Sequence, residues 1–230
     1  MAQLRIAILI PARYGSSRFP GKALHPLEGV PMAKRVYDTC KSVGFDTFLL
    51  SDDERICQLV EYSLYTSHEC ENGTERCAEA AARLKNYDAF INVQGDMPDI
   101  TADIIQAVAE ALVSRDLVTV YTAMSTRERA NPNSVKLIHN GEAAIWCCRA
   151  GLKYGDHHLG VYGYHKKLLA AYCSLPRCLA ESLEGLEQLR WLNAGYRMAV
   201  VEVKFEGTEI NTPEDVSDWT HRRQRQVQSR

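Results

Sequence analysis

Short, almost continuous apolar runs alternate with stretches in which apolar residues recur every three or four positions through the first two-thirds of the chain. Runs of the first kind suit strands covered on both faces, and the periodic stretches suit helices laid against a sheet, so the pattern is that of βαβ units. Leu4 to Ile10 is the first predicted strand. Pro31 to Val43 is the first helix: Pro31 fits its first turn, Met32, Val36, Cys40 and Val43 share a face, and Gly44 follows its end. A second strand over Thr47 to Leu50 ends in Ser51-Asp52-Asp53; helices are expected over Asp53 to Tyr62 and, after a polar stretch, over Thr74 to Lys85. Ala89 to Val93 is a third strand, apolar nearly throughout, ending in Gln94-Gly95-Asp96. Ile104, Ile105, Val108 and Leu112 mark another helix, and Leu117 to Thr122 another strand.

The pattern then changes. Val135 to Ile138 and Ala143 to Cys147 flank Asn140-Gly141, a strong hairpin signal, so antiparallel pairing enters the fold. A strand over His158 to Tyr164 follows, then helices over Lys166 to Cys173 and Leu179 to Ala194, and a strand over Met198 to Val203. The last helix opens with Thr212-Pro213-Glu214-Asp215, where threonine caps, proline fits the first turn and acids favour the positive end; the Gln/Arg-rich tail after Trp219 reads as frayed. The expected fold is therefore α/β: a Rossmann-like mixed, mostly parallel sheet flanked by helices. It forms one domain over residues 1–230, with an antiparallel segment at about 123–165.

Composition fits this picture and narrows the function. The chain has 230 residues, 46% of them hydrophobic, which is ample for one sizeable core. Lysine plus arginine (27) nearly balance aspartate plus glutamate (29), which argues against a general nucleic-acid binder and makes any phosphate recognition local. The apolar run near the start is too short to span a bilayer and leads into a loop rather than a cleavage pattern, so a soluble, cytoplasmic protein is expected. Eight cysteines are scattered without a Cys-x-x-Cys spacing, which favours free thiols over disulfides or structural zinc.

Ligands of open α/β sheets bind beyond the carboxyl ends of the strands. After the first strand comes Pro11-Ala-Arg-Tyr-Gly-Ser-Ser-Arg-Phe-Pro-Gly-Lys22. Gly15, Ser16 and Ser17 allow a tight loop with inward amides, and Arg13, Arg18 and Lys22 offer cationic donors to a triphosphate; an exposed loop of solvated charges is the alternative. The stretch has neither P-loop nor dinucleotide-fold spacing. Asp96, at the end of the third strand, is placed to hold Mg²⁺ beside substrate phosphates, although an aspartate there serves equally as a turn former. Arg76 falls in the first turn of the helix after Asn72-Gly73, an ordinary helix start unless a ligand meets it. Period two places His158, Gly160, Tyr162 and Tyr164 on one face, suited to a polar ligand such as a sugar and equally ordinary in a half-buried strand. Glu187 and Gln188 lie inside a predicted helix.

Taken together, IPARYGSSRFPGKAL, NGTER, FINVQGDMP, NPNSVK, HLGVYGYHK, LEQLR and INTPEDV, in this order, resemble the 3-deoxy-manno-octulosonate (Kdo) cytidylyltransferases through nearly the whole chain. The resemblance implies the nucleotide-diphospho-sugar transferase type of fold, with the antiparallel segment serving dimerisation and the sugar side. It also implies attack of the Kdo anomeric hydroxyl on the α-phosphorus of CTP with Mg²⁺ assistance, giving CMP-Kdo and pyrophosphate. In that scheme Ala12, Arg13, Ser16, Arg18 and Lys22 hold the triphosphate, with Arg13 and Lys22 offsetting transition-state charge. Ser51 and Asp52 lie at the cytidine, and Arg76 and Gln94 contact nucleotide or sugar. His158, Tyr162, Glu187 and Gln188 hold the sugar, and Asp96 and Asn211 the metal. A homodimer is implied, with CTP and a Kdo-like sugar as the partners and no nucleic acid or membrane.

Three departures from the family pattern matter. Asn211 stands where the family has an aspartate, which predicts weaker Mg²⁺ binding or a changed metal preference; Met97 replaces an acid after Gly-Asp; and the segment between Arg149 and His157 is short and lacks an Ile-Pro-Trp stretch. Two further readings stay open: a different nucleotide or sugar acceptor, and a degenerate relative that binds CTP without turnover.

Overall fold

The apolar run near the start forms β1 (Ile6–Pro11), buried along its whole length. Side chains alternate across a strand, so Ile6, Ile8 and Ile10 join one core and Ala7 and Leu9 the other. In the computed structural model residues 4–16 and 18–228 are described, residues 226–228 by backbone alone; Ser17, part of the expected phosphate loop, lies outside the described residues. A 3₁₀ turn (Lys22–Leu24) and a small hairpin, β2 (Pro26–Leu27) with β3 (Val30–Pro31), lead into α1 (Met32–Ser42). Then come β4 (Asp46–Ser51), α2 (Glu54–Cys57), β5 (Ser63–Tyr65), α3 (Gly73–Arg83), β6 (Ala89–Val93), α4 (Ala102–Ala111) and β7 (Leu117–Thr122). The second half holds α5 (Thr126–Ala130), β8 (Lys136–His139), β9 (Ala144–Cys148), β10 (Asp156–His165), α6 (Lys166–Tyr172), α7 (Leu179–Glu184), α8 (Gln188–Asn193), β11 (Ala199–Glu202) and α9 (Pro213–Gln228).

These strands build one mixed sheet in the order β11-β7-β10-β6-β1-β4-β5, with β8 joined to the start of β10 and β9 outside it. The pairs β1–β4, β1–β6, β4–β5 and β7–β11 are parallel, whereas β10 runs antiparallel between β6 and β7. α1 and α4 cover one face; α3, α6 and α8 cover the other, where Phe90, Tyr164, Tyr172 and Trp191 are buried. A smaller cluster of Val135, Leu137, Cys147, Leu186, Leu189 and Val200 ties the β8–β9 hairpin to α8.

Three local expectations fail for identifiable reasons. The helix expected over Asp53 to Tyr62 stops at Cys57, because the chain turns back to add β5 as an edge strand against Leu49–Ser51. The helix expected over Leu179 to Ala194 is two helices, broken at Gly185, which ends α7 in the left-handed conformation (φ 62°, ψ 40°) open to glycine. The tail read as frayed continues α9 to Gln228. Its start carries the reciprocal cap that the sequence suggests: Asp215 accepts from Asn211 and Thr212 amides, and the Asp215 amide donates to Thr212 Oγ1.

Candidate active site

The pairing register brings strand ends together. The Gly95 amide donates to the Pro11 carbonyl (3.3 Å), the Gln94 amide to the Gly160 carbonyl (3.2 Å), and the Ile210 amide to the Asp96 carbonyl (2.9 Å). Because β10 is antiparallel, its first residues lie beside the carboxyl end of β6, where a parallel strand would have placed its last ones. Gln94 is wedged there: a Cβ on Gly160 would come within 2.8 Å of its Cγ, and one on Gly73 within 2.7 Å of its Nε2. Between these ends opens a cleft of about 420 Å³.

One end of the cleft is basic. Arg13, Ser16, Arg18 and Lys22 line it from the loop after β1, as expected. Part of the loop's amide supply turns inward on itself, however: the Ser16 and Gly21 amides both donate to the Tyr14 carbonyl (2.9 Å each). These two amides are thereby satisfied within the loop. Lys22 Nζ donates to Asp96 Oδ2 at 2.5 Å and to the Ile210 carbonyl at 3.3 Å, while Arg18 donates to the Oδ1 atoms of Asn211 (3.1 Å) and Asn133 (3.3 Å). Met97 is fully buried in the core and does not line the cleft, so its replacement of an acid removes no charge from the wall.

The other end presents polar side chains at the mouth of an aromatic core. His158, Gly160 and Tyr162 line the cleft from one face of β10, with Tyr164 stacked deeper on Tyr162. Thr119 donates its hydroxyl proton to the Val161 carbonyl (2.9 Å), so at 3.0 Å it accepts from Nε2–H of His158, leaving Nδ1 as an acceptor. Burial drives the His158 pKa down to about 3, which keeps the ring neutral. Glu187 and Gln188 do not sit inside a helix but at the start of α8, released into the cleft by the break at Gly185. The Glu187 carboxylate accepts from the Thr74 amide at the start of α3 (2.8 Å) and from Gln94 Nε2 (3.1 Å); burial nonetheless raises its pKa to about 7. Gln188 Oε1 accepts from Tyr162 (3.2 Å), and its buried Nε2 has no partner among the described residues. A donor left so in a buried wall is suited to a ligand oxygen.

Ser51 and Asp52 do not line the cleft. Ser51 is buried and its hydroxyl accepts from the Asp53 amide, and Asp52 meets the cleft only through Arg76, whose guanidinium it holds at 3.1 Å. Arg76 does line the cleft but is also bonded to Thr66, so it ties α3 to the end of β4. Lys136, in the Asn-Pro-Asn-Ser-Val-Lys stretch, is buried and donates to the carbonyls of Asn131, Ser134 and Arg149 (2.7–2.9 Å), which fixes the loops carrying Asn133 and Arg149. Asn133, Arg149, Arg177, Glu181 and Glu209 also line the cleft, and none was named as a site residue from sequence. Glu181 lies in α7 and the others in loops with no periodic signature. Asn133 had a signal, its place in the Asn-Pro-Asn-Ser-Val-Lys stretch; Glu209 had none. Burial and the charge of Asp96 raise its pKa to about 7.

Cationic side chains after β1 and polar side chains of β10 and α8 thus line one cleft. A cytidylyltransferase family profile matches residues 7–205. The chain is 35% identical to the 3-deoxy-manno-octulosonate cytidylyltransferase of Desulfosudis oleivorans, over 93% of this chain and 95% of that one. The chain belongs to the family of the Kdo cytidylyltransferases. It is also 36% identical to the 8-amino-3,8-dideoxy-manno-octulosonate cytidylyltransferase of Shewanella halifaxensis, over 93% of this chain and 96% of that one. The solved structure of a CMP:2-keto-3-deoxy-manno-octonic acid synthetase complexed with CTP shares the fold with a TM-score of 0.88 at 30% identity, covering 96% of this chain and 99% of that one. As a cytidylyltransferase the protein is a nucleotidyltransferase enzyme, with the mixed, mostly parallel sheet that its sequence indicated.

Proposed function

We propose that this enzyme joins CTP to Kdo or a close 3-deoxy-ulosonate, releasing pyrophosphate. The observation that carries the reading is a single cleft in which Arg13, Arg18 and Lys22 converge at one end while His158, Tyr162, Glu187 and Gln188 face in at the other. The names of the relatives and the CTP-bound neighbour support it. The anomeric hydroxyl oxygen of the sugar forms a bond to the α-phosphorus as the bond to the β-phosphate oxygen breaks, and the hydroxyl proton passes to solvent as pyrophosphate leaves. Little covalent chemistry is asked of the protein: the cations offset charge on the phosphates, and the sugar wall holds the attacking hydroxyl in line. Neutral His158 offers an acceptor to a sugar hydroxyl through Nδ1, and Gln188 Nε2 offers a donor.

The reaction is proposed to require Mg²⁺. Carboxylate and amide oxygens at Asp96 and Asn211 are hard donors in the cleft wall of the kind Mg²⁺ takes, and the ion would take them in exchange for the Lys22 and Arg18 donors they now accept from. When bound, Mg²⁺ would supply positive charge that neutralises the phosphates, with Asp96 and Asn211 the residues that would hold it.

Pyrophosphate release should be measured with each of the four common nucleoside triphosphates, with and without Kdo and its 8-amino analogue. Release only with CTP plus one of the sugars is expected, and Lys22→Ala should lower kcat by about 10²–10³-fold, the usual cost of one preorganised charge-stabilising donor, with a folded protein of somewhat lower melting temperature because Asp96 loses its ion-pair partner. CTP binding without release with either sugar would leave the non-catalytic reading in its place.

A further inference from the structure

Ile210 is fully buried against Leu27, Met32 and Trp219. Its neighbours on either side, Glu209 and Asn211, both turn the other way and line the cleft, as positions two apart on an extended segment do. The two are therefore alternative points from which this segment can present an oxygen ligand. Asn211 brings no charge, and its Oδ1 accepts from Arg18 at 3.1 Å. Glu209 brings a carboxyl group. Among the described residues its only hydrogen bond is a long one, 3.4 Å, from the Gly160 amide. The segment is pinned beside Asp96 by the Ile210 amide, and Lys22 Nζ spans Asp96 Oδ2 and the Ile210 carbonyl.

We propose that Glu209 supplies the second carboxylate to the divalent cation accompanying CTP, taking over the charge that Asn211 does not provide. The inference rests on the metal-dependent reading above. It means that the site keeps two carboxylates, Asp96 and Glu209, a set that Mg²⁺ accepts together with phosphate oxygens and water. Asn211 is then an anchor for Arg18, holding that guanidinium at the phosphate end.

Mn²⁺ is the probe, and its affinity for the protein–CTP complex is read from its electron paramagnetic resonance signal, with no sugar present and hence no turnover. Glu209→Gln should weaken Mn²⁺ uptake at least ~10-fold, the scale seen on losing even an outer partner of a metal site. Asn211→Asp in the Glu209→Gln background should recover most of the loss, which a fold defect would not allow. Mn²⁺ affinity that is equal in Glu209→Gln and the natural chain overturns the assignment. Absence of Mn²⁺ uptake by the natural chain with CTP overturns the metal reading itself, and this inference with it, a result distinguishable from the first.

Discussion

Glu187 stands behind Gln94 with its carboxylate at the start of α3, where two hydrogen bonds favour the anion and burial opposes it. Burial dominates, so the folded protein keeps this proton up to about pH 7, whereas the unfolded chain loses it near the ordinary glutamate value of about 4.3. The sign follows: the group's contribution to stability is complete below the ordinary value, declines between there and about 7, and is constant above. Glu187→Gln removes that titration. Thermal melts between about pH 5 and about pH 8 should show the variant gaining on the natural chain as pH rises, and a pH-independent gap would exclude a buried, titrating acid at this position. The two neighbouring side chains differ in how readable they were. The cations after β1 could be found from sequence, since the carboxyl end of a buried strand is where a ligand belongs. Glu209 and Arg149 could not, because Glu209 is brought in beside the Ile210–Asp96 backbone bond and Arg149 by its bonds to Glu184 and to the Pro132 and Asn133 carbonyls, all remote in sequence.

At the scale of elements, the break between α7 and α8 decides the shape of the sugar end. A continuous helix would have carried Glu187 and Gln188 around with its own periodicity; the left-handed Gly185 lets α8 restart with both facing the cleft. A Cβ at Gly185 would meet nothing within 4 Å, so Gly185→Ala costs only the backbone conformation, about 1 kcal/mol. Calorimetry should record a drop in melting temperature of about 2–4 °C. An unchanged melting temperature would mean that the break is imposed by α8 packing alone. The sequence did contain this glycine, but it fell within a run whose leucines kept helical spacing, and that spacing concealed it. The same competition hid β5, since the polar stretch around Ser63 carries too few apolar positions to mark a strand and gains its order from pairing with β4. The strands Ala89–Val93 and Leu117–Thr122, whose patterns are unbroken, were legible to the residue, and the helices α1, α3 and α6 to within one or two residues at their ends.

On the whole molecule, β9 is an edge strand carrying exposed Ile145 and Trp146, and α7, which packs on α8 next to β9, exposes Leu179 and Leu183. We propose this as the face on which two copies pair, in line with the homodimer that the sequence motifs imply. Sedimentation of the natural chain should give a dimer, and Ile145→Asp with Trp146→Asp a folded monomer; a natural chain that sediments as a monomer would end the proposal. A bare, apolar edge of this kind is otherwise a liability.

The antiparallel course of β10 also governs the order in which the molecule can be made. Its residues come after the hairpin, yet they fill the gap between β6 and β7 at the middle of the sheet. Until His165 has left the ribosome, β6, with its Ala-Phe-Ile-Asn-Val sequence, has an unpaired flank, and β7 has no neighbour through which to reach β1. The nascent amino-terminal half is thus a sheet awaiting its central strand, and the molecule closes from the outside inward, late in synthesis and with the sticky flank of β6 exposed until then.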